Sequence, residues 1–275
     1  MTALRLADAG EAADLAAFLA RLIHYDRAAA VRLQADGGVL AVFGRPPSFE
    51  VLAIRTARLA PAASPGPQAA TAAHGPRTGT GAVPAAGLDR TVSAGDLLEG
   101  IDESTNSLTL PAAVTGPPWA GVLPPRGGWQ QIPGLPSPQA LGRTVALAVA
   151  EFRARDEALP PERRTRAERD RIGREIWSRT LGDTHLPLRA AHAAQSLGFL
   201  RPVRAEAQAG LHGPAGGGHG SVSGSGSGSA GSGAALAEPP ALTLLAAGGW
   251  LRLRTPYGSV AVRTGGPSAL PVTPA

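Results

Sequence analysis

Apolar residues at Leu15, Phe18, Leu19 and Leu22 recur at three- and four-residue spacing, which predicts a helix with one buried stripe. Asp8 stands where an N-cap belongs, and Glu11 three residues on is the reciprocal partner of a capping box. Past His24 the period shortens to two. Val31 and Leu33 alternate with Arg32 and Gln34, and Asp36-Gly37-Gly38 supplies turn chemistry. VLAVF and FEVLAIRTARL then flank Arg45-Pro46-Pro47-Ser48, so residues 1–60 read as a helix followed by a three-stranded antiparallel meander. Ser93 with Asp96 opens a short helix toward Gly100. Between Leu108 and Leu135 six prolines exclude an α-helix. LTLPAAV reads there as one strand, and the rest as an extended arm that pins Trp119 and Trp129 onto a surface.

Three helices follow. Ser137 caps the first, Pro138 takes its first position, and Leu141, Val145, Ala148 and Phe152 form its stripe. The second runs from Pro161 to about Leu181. The third has Thr184 as cap and ends at Gly198. ALTLLA, WLRLR and SVAVR, separated by turns at Ala247-Gly248-Gly249 and Thr255-Pro256-Tyr257-Gly258, predict a second meander. Two tracts, 61–87 and 201–240, lack any apolar period, and small residues there bury too little area to offset ordering entropy. They are expected to be disordered linkers, and 265–275 a flexible tail. The fold class is α+β: N-terminal helix and meander, central three-helix segment, C-terminal meander, two disordered linkers. Residues 88–264 are expected to form a unit that the Gly/Ser loop interrupts. The two meanders share a layout, which leaves open whether they stay apart or pair into one sheet.

Composition narrows the chemistry. The 275 residues include no Cys, which excludes disulfides, thiolate metal sites and a cysteine nucleophile. All 26 basic residues are Arg and Asn occurs once, a signature of GC-rich coding more than of selected guanidinium chemistry. Without Lys there is neither a Schiff-base amine nor a phosphate-loop lysine. No apolar run is long enough to span a membrane, and the acidic start MTALRLADAGEAADLAAF does not read as a signal peptide. A cytoplasmic protein is expected. Net charge is +5, and the stretch from Gln139 to Arg204, with 13 Arg against 8 acids, carries all of it.

No catalytic constellation emerges. GSGSG lies in the second linker, where no nucleophile is held rigidly. Of six His, His74, His212 and His219 fall in the linkers. His185 and His192 are seven apart and have only Asp183 nearby, short of a metal site. His24 suits a helix C-terminus. Asp102 and Glu103 are adjacent and point apart. Catalytic, cofactor-binding and metal-ligating residues are therefore all expected to be absent. The helix PERRTRAERDRIGREIW interleaves Arg and acids at i,i+4 (Glu162–Arg166, Arg166–Asp170, Asp170–Arg174, Arg171–Glu175, Glu175–Arg179), as a solvated helix does.

Three helices and a hairpin also resemble a winged helix-turn-helix. Arg189 and Gln195 would then face bases, and Arg252, Arg254 and Arg263, on one strand face beside Trp250, would face phosphates. The stretches LPPRGGWQ, AAHAAQSLGFL and GGWLRLRTPYGSV resemble an uncharacterised protein family of GC-rich actinobacteria, a resemblance that implies a bacterial setting and no particular activity. The expectation is a non-enzymatic bacterial protein that acts by binding a partner of unknown kind, without a cofactor and without a membrane. The alternatives are a winged-helix-like nucleic-acid binder and a small-molecule enzyme with an Arg/His cleft.

Overall fold

The computed structural model describes residues 3–61, 87–201 and 242–264. The expected linkers and tail fall, but for end residues, outside these, as do His74, His212 and His219. Among the described residues no helix is long and apolar enough to cross a membrane.

The chain is α+β as expected. Strand β1 (Ala3–Arg5) precedes helix α1 (Ala9–Tyr25), whose first turn is capped by the Asp8 carboxylate accepting from the Glu11 N–H at 2.9 Å. Glu11 does not complete a capping box. Its carboxylate reaches across to Arg55 and Arg58, where two guanidinium groups outcompete one backbone N–H. β2 (Ala30–Asp36), β3 (Val39–Gly44) and β4 (Leu52–Arg58) form the first meander. Its first turn is Gly37-Gly38, both with positive φ, the conformation a two-residue hairpin needs. β5 (Leu88–Ser93) pairs with β2 and leads into α2 (Ala94–Glu99), which Ser93 caps.

β6 (Ile101–Asp102) and β7 (Ser107–Thr109) join β1 in a small three-stranded sheet. The strand expected over LTLPAAV is thus shorter, because the proline at 111 leaves the ladder without a donor. The arm beyond it holds a single 3-10 turn (Pro118–Gly121) and ends in β8 (Gln130–Ile132).

Ser137 caps α3 (Pro138–Glu157), as its sequence requires. The next helix, α4 (Arg166–Trp177), starts later than expected. Pro161–Arg163 makes a separate 3-10 turn, and the Thr165 hydroxyl accepts from the Glu168 N–H as cap. α5 (Leu188–Ser196) also starts late. Thr184 is buried in the preceding turn, donating to the Leu181 carbonyl at 2.6 Å, and Pro187 takes the cap position. His185 therefore lies outside α5 and shares no helix face with His192.

The second meander is β9 (Thr243–Ala247), β10 (Trp250–Thr255) and β11 (Gly258–Arg263). It pairs with the first through β4 and β11, with Ser259 opposite Ile54 and Ala261 opposite Leu52. The result is one eight-stranded antiparallel sheet in the order β5-β2-β3-β4-β11-β10-β9-β8. The order has a quasi-twofold layout. Each half is a meander with one extra strand on its outer edge, and the halves meet at their third strands. β9–β11 are therefore three strands of one large sheet, not a free-standing wing.

One face of this sheet packs under the helices. Leu15, Phe18 and Leu19 of α1 meet Val31, Leu33, Ala53, Leu253 and Val260 in a single core that also takes Leu141, Ile172 and Ile176. The other face carries a second, smaller core of Phe43, Leu52, Ile54, Trp250 and Ala261. Trp119, Leu123 and Trp129 of the arm pack onto it, so the arm lies on the sheet as its tryptophans require.

Candidate functional site

Of the clefts on the arm-covered face, two lie at either end of the β4–β11 seam. Alternation decides which residues reach them. On β10, Trp250, Arg252 and Arg254 share a face because successive side chains point to opposite sides, and Leu251 and Leu253 go to the main core. Arg263 is opposite Trp250, and Ser259 is opposite Arg254.

The first cleft has a volume of about 550 Å³, within the range of small-molecule sites. Arg45, Arg189 and Arg263 line it with Glu50, Trp119 and Trp250. The guanidinium of Arg263 lies 5.7 Å from the centre of the Trp250 ring, a cation–π distance. Arg189 reaches the cleft from the first turn of α5. Its Nε stands 3.8 Å from the Glu50 carboxylate, too far for a hydrogen bond, and although buried it has no hydrogen-bond partner. Glu50 sits on the β3–β4 loop at φ 52°, and Ser48 in the same loop at φ 70°. Side chains rarely adopt this left-handed region, which costs each roughly 1–2 kcal/mol. The loop places Arg45 and Glu50 at the cleft at that cost, as functional loops often do.

The second cleft has a volume of about 710 Å³ and is lined by Arg252, Arg254, Ser259, Thr56, Thr243 and Trp129, with no carboxylate among its described lining residues. Arg252 donates to the Ser259 hydroxyl at 2.8 Å, and its guanidinium lies 5.7 Å from the Trp129 ring centre. Its Nε is also buried without a hydrogen-bond partner. Burial pushes the Arg252 pKa below its ordinary value, and the neighbouring charge of Arg254 adds to the shift.

The residues expected to contact nucleic acid are thus divided. Arg189 and Arg263 share the first cleft, Arg252 and Arg254 the second, and Gln195 is exposed on α5 and lines neither. Sequence reasoning missed Arg45, Glu50 and Trp119 as partners of Arg263. They come from a Pro-containing loop and the arm, where no period fixes the direction of a side chain.

Elsewhere some arginines are paired with acids and others, such as Arg143, Arg153 and Arg174, form no ion pair among the described residues. Arg55, 6% exposed, is held by Glu11 and Asp14 and donates to the Tyr257 carbonyl at 2.8 Å. Arg201 pairs with Asp14 and stacks on the Tyr257 ring. The Arg-rich helix pairs both across to α3 and along itself, where Arg171 holds Glu168 at 2.6 Å. Arg155 grips Glu175 through two bonds of 2.7 Å, and Arg179 grips Glu151. Three of the five expected i,i+4 pairs are present, at 3.8–3.9 Å: Arg166–Asp170, Arg171–Glu175 and Glu175–Arg179. Most acids of that segment are therefore taken up within the fold, while its surplus of Arg over acids remains. Among the described residues no group of three or more His, Asp or Glu could hold a metal ion.

No curated protein and no solved structure matches the chain. Residues 1–121 match a domain of unknown function (DUF8010). Residues 124–267, just over half of the chain, match a second domain of unknown function (DUF8185), and the chain belongs to that family.

Proposed function

We propose that the chain is a non-catalytic binding protein, and that the first cleft takes an anionic small molecule with a flat, apolar body. The observation that carries this reading is the convergence of Arg45, Arg189 and Arg263 on a space with one opposing carboxylate and two tryptophans. Charge-assisted hydrogen bonds from guanidinium groups are the stronger kind, and three arginines against Glu50 leave a surplus of positive charge for a ligand. Trp119 and Trp250 supply apolar walls that a small inorganic ion would not need. An anion here would also satisfy the Arg189 Nε–H, whose burial without a partner costs about 1–3 kcal/mol.

Titration with 8-anilinonaphthalene-1-sulfonate, an aromatic anion whose emission rises in an apolar site, tests the reading. Saturable binding with energy transfer from tryptophan is expected. Arg263→Gln and Arg45→Gln should each weaken it by about tenfold, close to 1.4 kcal/mol. Binding of a neutral dye should be unaffected by either change. Equal affinity of the anionic dye for all three proteins would remove the first cleft as its site.

A further inference from the structure

The second cleft shares none of these residues, and its chemistry differs. Arg252 and Arg254 are two apart on one strand, so their side chains leave the same face roughly 6.6 Å apart. Two cations this close repel each other, and no ion pair with an acid is formed by either among the described residues. The first cleft contains Glu50 to offset its arginines, and Arg55 has Glu11 and Asp14. Among the described residues Arg252 has only a serine hydroxyl and the face of Trp129 as partners. It also keeps one buried guanidinium N–H without an acceptor. Around the pair stand hydroxyl groups, from Ser259, Thr56 and Thr243. A lining of paired guanidinium groups and neutral hydroxyls without carboxylate suits a compact oxyanion, whose several acceptor oxygens can take all of these donors at once.

We infer that the Arg252–Arg254 cleft is a second ligand site, which binds a phosphate or phosphomonoester group between the two guanidinium groups. The anion bridges Arg252 and Arg254, accepts from the free Nε–H of Arg252, and takes hydroxyl donors from the strand neighbours. Because Arg252 lies over Trp129, occupation of the site also changes the environment of that ring. The inference does not rest on the ligand assigned to the first cleft.

Equilibrium dialysis of labelled inorganic phosphate against the full-length chain, at constant ionic strength set with chloride, tests it. Saturable binding is expected, accompanied by a change in tryptophan emission that the Trp129→Phe variant loses. Arg254 is exposed, so Arg254→Gln should fold, and it should weaken phosphate binding about tenfold. Arg252→Gln should do at least as much. Arg263→Gln, in the other cleft, should leave phosphate binding unchanged and weaken only the aromatic anion. Glycerol phosphate should compete with the labelled phosphate as a monoester source of the same group. Phosphate binding that is absent, or that Arg254→Gln leaves intact, overturns the inference. Loss of phosphate binding on Arg263→Gln would also overturn it, while leaving the first cleft as an anion site. Displacement by a single-stranded oligonucleotide far below the concentration at which glycerol phosphate competes would overturn it in favour of a phosphodiester chain.

Discussion

Glu50 is the residue in which conformation and electrostatics meet. It stands in the left-handed region at φ 52° and brings the single carboxylate to the first cleft. Two substitutions separate these effects. Glu50→Gln keeps the side chain's length and removes its charge, so affinity for the aromatic sulfonate should rise several-fold with little change in stability. Glu50→Gly removes the charge and also relieves the backbone, so it should raise affinity and add on the order of 1 kcal/mol to stability. Unchanged affinity in both variants would mean that the carboxylate does not oppose the ligand. His192 offers a second test at this scale. It stacks on Trp177 with ring centres 4.2 Å apart and meets Phe49 edge-on at 5.2 Å. Burial lowers its pKa, so the folded chain binds this proton less readily than the unfolded chain does. The contribution to stability is therefore complete above the unfolded value of about 6.5 and falls as pH drops through it toward the lower folded value. The urea midpoint should decrease between about pH 7.5 and pH 5 by this route. His192→Phe, which keeps a ring in the stack, should flatten that decrease. An identical slope in the variant would assign the pH dependence to other groups.

At the scale of elements the arm is the least conventional part, since it covers a sheet face with prolines and tryptophans in place of a helix. Trp119 and Trp129 are half-buried on the Phe43–Ile54–Trp250 cluster, and Trp129 donates to the Pro125 carbonyl at 3.0 Å, which closes the arm on itself. Truncating either ring should cost about 1–3 kcal/mol in urea unfolding, below the value for a fully buried tryptophan. Trp119→Ala should also weaken the aromatic anion, whereas Trp129→Ala should not. A loss under ~0.5 kcal/mol would show that the ring is not part of the packing. This docking was legible in the sequence, because a chain with few aromatics gains much by burying them. So were α1, both meanders and the common face of Arg252, Arg254 and Arg263, which follow from periods of 3.6 and 2. The starts of α4 and α5 were not. Proline is tolerated both at a helix start and in a preceding turn, and Pro161 and Pro187 read the same way in either setting. β1, β5 and β8 also escaped notice, because an edge strand held mainly by its ladder needs little apolar alternation. The α3–α4 ion pairs illustrate a further limit. Periodicity shows which charges are neighbours along one helix, and only packing showed that Glu175 takes Arg155 from the facing helix and that Glu151 takes Arg179 from just past the end of α4. Those arginines hold both carboxylates below their ordinary pKa values.

For the whole molecule the central question is whether the two family matches, which divide between residues 121 and 124, correspond to separable units. The seam argues for one cooperative body. β4 comes from the first match and β11 from the second, and they share backbone bonds in the middle of the sheet. The main core spans both, from Leu15 and Ala53 to Leu253 and Val260, and Phe18 stacks on Phe199 at 5.6 Å. Arg55 ties β4 to the Tyr257 carbonyl, and Arg201 ties the end of the helical segment to Asp14. Cutting the chain near residue 122 would therefore expose the β4 edge together with apolar residues that have lost their cover, and such edges aggregate. Calorimetry of the full-length chain should show a single transition whose calorimetric and van't Hoff enthalpies agree. Ala53 is fully buried opposite Val260, so Ala53→Asp puts an unpaired charge into the seam. It should lower the one transition as a unit rather than melt half of the chain first. The fragment 1–121 alone should lack cooperative unfolding, and mixing it with 122–275 should restore it. Two resolved transitions in the full chain, or a cooperatively folded 1–121 fragment, would show instead that each match is a domain with a core of its own.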